Sequence, residues 1–150
     1  MRILIVESRF YEDITDNLVK GAVRELTAQG IGYKRVIVPG ILEIPAAVRY
    51  AIRAMELRAT DERFGGYIGL GCAIKGETDH YDHVSREAIG GLQRLALDHA
   101  LAVGNGILTV RNKAQAMERA IPEKRNFGGQ AARACLRMIE IKRELSLLPK

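Results

Sequence analysis

The sequence predicts a three-layer α/β/α domain built on a four-stranded parallel sheet. Short β-branched runs alternate with longer amphipathic stretches along the whole chain. The runs are apolar on successive residues rather than alternate ones, which suits strands covered on both faces. A chain of 150 residues can form one such core but not two, so residues 1–150 are read as a single domain. Parallel strands need crossover connections, here helical and right-handed.

Arg2–Glu7 (RILIVE) reads as the first strand. Asp13 or Thr15 stands where a cap is wanted for the next element, in which Ile14, Leu18, Ala22 and Leu26 recur every four residues. Gly30 ends that helix. Tyr33–Val38 is the second strand, stopped by Pro39-Gly40, and Ile44, Ala47, Val48, Ala51, Ile52 and Met55 mark a second helix. Its Pro45 falls in the first turn, where no amide proton is needed. Gly66–Ile74 is a buried third strand, and Thr78 or Asp79 is placed to cap a long helix carrying Ile89, Leu92, Leu95 and Ala96. Val103–Val110 is the fourth strand and Lys113–Ala120 a short helix ended by Pro122. The last helix runs from about Gly128 to Leu147, with a face of mostly small residues at Ala131, Ala132, Cys135, Leu136 and Ile139. There is no internal repeat, low-complexity segment or linker. A small sheet with an apolar edge, and an alanine-rich helix face, favour a homo-oligomer.

The net charge is +5, but basic residues are scattered among acids, and three Phe and five Tyr leave little to stack bases on. No nucleic-acid partner is expected. Nor is a membrane, because no apolar run approaches ~18 residues. Arg2 is followed by too short an apolar run to read as a secretory leader. Cys72 and Cys135 sit in apolar company, as buried thiols of a reducing compartment do, so a cytoplasmic protein is expected.

Ligands of open parallel sheets bind beyond the carboxyl ends of the strands. The segments that follow the first three strands are Ser8-Arg9-Phe10-Tyr11, Pro39-Gly40-Ile41-Leu42-Glu43 and Lys75-Gly76-Glu77-Thr78-Asp79-His80. In the third, Gly76 lets a ligand approach the backbone, while Glu77 and Thr78 lie at a helix start whose free amides favour an anion. Thr78 serves equally well as a simple cap. His80 follows in the first turn, where a helix dipole favours the neutral, proton-accepting imidazole; an isolated surface histidine fits the same pattern. Glu43 suits ligand hydroxyls or merely the dipole of its helix, and Phe10 suits a flat heterocycle or a hydrophobic staple. His80 and His83 are spaced i, i+3 without a third ligand, so no metal site is expected. Gly69-Leu70-Gly71-Cys72-Ala73-Ile74 carries Ile74 where a dinucleotide fingerprint needs glycine, and none of Ser8, Ser85 and Ser146 sits in a nucleophile elbow.

Together, Ser8-Arg9-Phe10-Tyr11, Val38-Pro39-Gly40-Ile41-Leu42-Glu43-Ile44-Pro45 and Gly71 to Asp82 (GCAIKGETDHYD) closely resemble the 6,7-dimethyl-8-ribityllumazine synthase family. Gly106-Ile107-Leu108-Thr109 with Gln115-Ala116 and Glu118-Arg119-Ala120 extends the resemblance over nearly the whole chain. The resemblance implies a flavodoxin-like topology and condensation of 5-amino-6-(D-ribitylamino)uracil with 3,4-dihydroxy-2-butanone 4-phosphate. It implies no cofactor, since the reaction has no redox step. By position, Phe10 corresponds to the aromatic that stacks on the pyrimidine, and Ile41, Leu42 and Glu43 to the segment gripping the ribityl chain. Cys72, Ala73 and Ile74 correspond to the strand end whose backbone reads the pyrimidine. Glu77 and Thr78 correspond to the phosphate site, with Arg119 supplied by a neighbour, and His80 to the histidine that moves protons. The family shares each site between adjacent subunits of a pentamer, and a strand beginning at Arg2 leaves no shell-forming extension, so a free pentamer is expected. Three positions depart from the pattern. Asn105 replaces a second, neighbouring aromatic, Ile41 a smaller residue and Phe127 a lysine. Asn105 and Phe127 keep open a second reading, a homologue that binds flavin or lumazine without turnover.

Overall fold

The computed structural model describes residues 1–149. Four strands, β1 (Arg2–Ser8), β2 (Gly32–Val38), β3 (Phe64–Ile74) and β4 (Val103–Val110), form one sheet. All pairings are parallel, in the order β2-β1-β3-β4. Five helices connect and cover it: α1 (Glu12–Ala28), α2 (Ile44–Glu56), α3 (His80–His99), α4 (Lys113–Ala120) and α5 (Phe127–Glu144). The three-layer architecture and flavodoxin-like strand order expected from the sequence are both present.

Side chains alternate across β1 and divide the interior in two. Ile3 and Ile5 point to a core shared with α1 and α5, where Ile14, Leu18, Ala22 and Leu26 meet Ala131, Ala132, Cys135 and Ile139. Leu4 and Val6 face the other core, formed with Ile44, Val48 and Ile52 of α2 and Ala88 and Leu92 of α3. The small face of α5 has a concrete partner in α1: a Cβ at Gly128 would collide with the backbone of Leu18. Gly30 adopts a positive φ of 67°, the left-handed conformation that closes α1.

Several local expectations are corrected. Neither Asp13 nor Thr15 caps α1, which starts at Glu12 after an extended Tyr11 with no side-chain cap. Thr15 is instead buried and donates through Oγ1 to the carbonyl of Ser8 at 2.6 Å, while Asp13 pairs with Lys113 at 2.6 Å. Asp79 occupies the position before α3 without capping it by its side chain. A 3-10 turn at Ile41–Glu43 precedes α2 and was not expected. The edge strand β2 is not buried on both faces, since Arg35 and Ile37 are exposed while Val38 is buried. β3 begins at Phe64 and α5 ends at Glu144, within a few residues of the expected limits.

Candidate active site

The chain leaves β1 toward one side of the sheet, to β2, and returns to place β3 on the other. The switch point therefore lies between the carboxyl ends of β1 and β3, where open α/β sheets bind ligands. A cleft of ≈ 530 Å³ occupies that place. All three segments singled out from the sequence reach it.

Ser8, Phe10 and Tyr11 form one side. Phe10 is 73% exposed, and its ring meets that of Tyr11 edge-on with centroids 5.0 Å apart. Pro39 to Glu43 forms a second side. The 3-10 turn buries Ile41 beneath the cleft while leaving Leu42 half exposed above it. A Cβ on Gly71 would lie 2.7 Å from Ile41 Cγ2, so glycine at the end of β3 makes room for the bulky Ile41. The carboxyl end of β3 contributes Cys72, Ala73 and Ile74. Burial pushes the Cys72 thiol up to about 12, which keeps it protonated at neutral pH. What Cys72–Ile74 offers a polar ligand is therefore backbone.

The third side is the start of α3. Gly76, Thr78 and His80 line the cleft, and Thr78 Oγ1 accepts from the backbone N–H of His80 at 3.3 Å. That contact is long, so Thr78 is only a weak cap and its hydroxyl hydrogen stays available to donate. A Cβ on Gly76 would meet nothing within 4 Å. The glycine thus answers no packing need of the protomer itself and keeps the approach to the helix start open.

Nine expected site residues thus surround one cleft: Phe10, Ile41, Leu42, Glu43, Cys72, Ala73, Ile74, Thr78 and His80. Glu77 lies beside it on the exposed loop. Asn105 and Arg119 are not brought to it within the protomer. Asn105 is exposed on the edge strand β4, its Oδ1 accepting from Ile107 N at 3.0 Å. Arg119 lies on α4, with Nη1 donating to the Gln115 carbonyl at 3.2 Å. Phe127 opens α5 and packs against the α1/α5 core, a use for phenylalanine there independent of any ligand.

Sequence reasoning passed over Ser8, Tyr81 and Val84 as site residues. Ser8 is buried on the cleft floor and its Oγ has no hydrogen-bond partner among the described residues. Its place directly after the apolar run of the first strand, at the head of a segment beyond a strand end, was the available signal. Tyr81 and Val84 follow His80 by one and four residues, the spacing of a single helix face turned to the cleft.

A parallel sheet with a cleft at its switch point, with an aromatic, a carboxylate and an imidazole on its rim, defines a doubly wound α/β protein for small polar ligands. The family model described as 6,7-dimethyl-8-ribityllumazine synthase matches residues 1–143. The protein of that name from Paramagnetospirillum magneticum is 49% identical over 146 residues, 97% of each chain. The one from Afipia carboxidovorans is 48% identical over 97% of this chain and 88% of its own. Rhizobium meliloti's 6,7-dimethyl-8-ribityllumazine synthase 1 is likewise 48% identical, over 97% and 94%. The chain belongs to the 6,7-dimethyl-8-ribityllumazine synthase family.

Proposed function

We propose that the protein is a transferase of riboflavin biosynthesis. It condenses 5-amino-6-(D-ribitylamino)uracil with 3,4-dihydroxy-2-butanone 4-phosphate to give 6,7-dimethyl-8-ribityllumazine, phosphate and water. The observation that carries the reading is the joining, in one cleft, of a wall made by Phe10 and Ile41–Glu43 with an open helix start bearing Thr78 and His80.

The reaction asks for little covalent participation by the protein. The pyrimidine's amine attacks the ketone and water leaves, phosphate is eliminated, and the ribitylamino nitrogen closes the ring with a second loss of water. What accelerates such a sequence is holding two substrates in register, a donor cradle for the departing phosphate and one proton-transfer group. Phe10 stacks on the pyrimidine, whose polar edge is read by the backbone of Cys72, Ala73 and Ile74. Glu43 accepts hydrogen bonds from the ribityl hydroxyls, beside Ile41 and Leu42. Glu77 and Thr78 present backbone N–H groups and a hydroxyl to the phosphate at the start of α3, where the helix favours an anion. His80, two residues on, moves the protons.

Arg119 and Asn105 enter this account through a neighbouring copy. Both lie away from the protomer's own cleft, as residues contributed across a subunit boundary do. The family resemblance supports a homopentamer with composite sites, and the buried free thiols of Cys72 and Cys135 support a place in the cytoplasm. No helix among the described residues is long and apolar enough to cross a membrane.

The test mixes purified protein with both substrates and follows lumazine absorbance and phosphate release against the uncatalysed reaction. Acceleration of both in step is expected. Release of neither, with the protein folded, overturns the proposal.

A further inference from the structure

We propose that Glu7, Arg9 and Asp16 form a clamp that positions Phe10 at the rim of the cleft, an inference that rests on the assignment of Phe10 to the pyrimidine. Glu7 is fully buried near the end of β1, on the sheet face opposite Ser8, and no step of the reaction uses it. Burying a carboxylate is costly unless it is paired and hydrogen-bonded. Arg35 alone nearly meets that need. It grips Glu7 in a fork, with Nε donating to Oε2 at 2.9 Å and Nη2 to Oε1 at 2.7 Å.

Arg9 does something a simple ion pair does not. Its Nη1 donates to Glu7 Oε1 at 2.9 Å while its Nη2 bonds to Asp16 Oδ1 on α1. A single planar guanidinium thus ties the Glu7 carboxylate, near the end of β1, to the first turns of α1, across the segment that carries Phe10. Thr15 reinforces the bridge through its bond to the Ser8 carbonyl, and its backbone N–H donates to the Tyr11 carbonyl at 3.0 Å. Phe10 lies between Arg9 and Tyr11 with its ring largely in solvent, so packing does little to hold it. Its place is set by the anchors on either side. Asp16 is the exposed end of the clamp, and so the part that can be removed with least damage to folding.

The chain contains no tryptophan, so Phe10→Trp installs a single fluorescent probe at the rim. Time-resolved anisotropy of that variant is compared with Arg9 intact, with Arg9→Gln and with Arg9→Lys, whose one ammonium cannot bridge two carboxylates as the fork does. Both Arg9 variants are expected to enlarge the fast, nanosecond component of the probe's motion. Unchanged motion in both overturns the clamp.

Kinetics give the second arm. Arg9→Gln is expected to raise the KM for the ribitylamino-pyrimidine by ~3- to 10-fold, the scale of one aromatic stack, with the KM for the keto-phosphate within ~2-fold. In a Phe10→Ala background the same substitution adds almost nothing, because the group it positions is gone. Effects that multiply in the double variant, or that move both Michaelis constants alike, show a general loosening and overturn the proposal. If Arg9→Gln does not fold, Asp16→Asn is read in its place with the same expected and opposing results. A wild-type protein that forms no lumazine refutes the reading of the site, while the anisotropy arm still decides the clamp.

Discussion

On the β1 side of the cleft, Ser8 to Tyr11 is tied to β1 and α1 by Arg9 and Thr15, and Ile41 is buried beneath the neighbouring turn. On the α3 side, Glu77, Thr78, Asp79 and His80 are exposed. Their one side-chain hydrogen bond among the described residues is the 3.3 Å contact from His80 N to Thr78 Oγ1. The first wall is finished within the protomer and the second is open. A flat heterocycle has to be oriented before it reacts, which rewards a rigid wall. A phosphate arrives on one substrate and departs as product. Free amides at a helix start can hold it in both states without repacking a core.

This contrast can be broken most directly at the open wall. His80→Ala is expected to lower kcat by ~100-fold while changing neither Michaelis constant much, because a proton-transfer group acts mainly in the transition state. Steady-state turnover with both substrates varied checks it. A variant that loses affinity instead, with kcat preserved, makes His80 a binding residue. Thr78→Ala comes next. Loss of a hydroxyl donor to an anion is worth ~10-fold or more, and it is expected in the KM for the keto-phosphate, with that for the pyrimidine within ~2-fold. Equal changes in both constants erase the division between the walls.

Asn105→Phe sharpens the same contrast from outside the protomer. Asn105 is exposed on β4, and its bond to Ile107 N is a modest local one, worth about 1 kcal/mol or less. If the edge strand of a neighbour closes the cleft, a phenylalanine there supplies a second stacking surface. It is then expected to lower the pyrimidine KM by ~3-fold without touching the keto-phosphate. The assembly's mass by sedimentation is measured alongside. A pentamer whose pyrimidine KM ignores position 105 shares its sites across some other surface.

The two walls also differed in how far they could be read from residue order. Strand ends were visible because β-branched runs stop at breakers; β4 and α4 fall on the expected residues. Given the strand order, the convergence of three loops follows from geometry. The cap expected at α1 is absent because the helix starts at Glu12, which places Asp13 and Thr15 inside its first turn, where Thr15 bonds to Ser8 and Asp13 pairs with Lys113 while accepting from Ile14 N. Propensity cannot see such long-range partners. Glu7 illustrates the same limit. A glutamate closing an apolar run reads as the place where a strand meets solvent, yet it is fully buried because Arg35, 28 residues on and opposite Ile5 in the register of β2, reaches two positions along the strand to grip it. The clamp around Phe10 was therefore invisible, while Thr78 and His80 stood out because their site is made from consecutive residues.

The smallest expected effect is at Cys72, and it tests what the finished wall contributes. A cysteine lining a cleft invites a nucleophilic role, and thiolate is the form that would fill it. Here burial pushes the thiol up to about 12, so the charged form gains population only as the pH approaches that value, far above the neutral range. Cys72→Ala keeps the backbone that faces the cleft and removes only the buried sulfur. We expect kcat and both Michaelis constants to stay within ~2-fold, with a pH profile unchanged between neutrality and mild alkali. The cost is expected in stability, ~1–2 kcal/mol for the small cavity left behind, read from the denaturation midpoint. Loss of lumazine formation with that midpoint intact reverses the argument. It would mean that the β1–β3 floor reacts as well as orients, and that its rigidity serves a nucleophile rather than a ring.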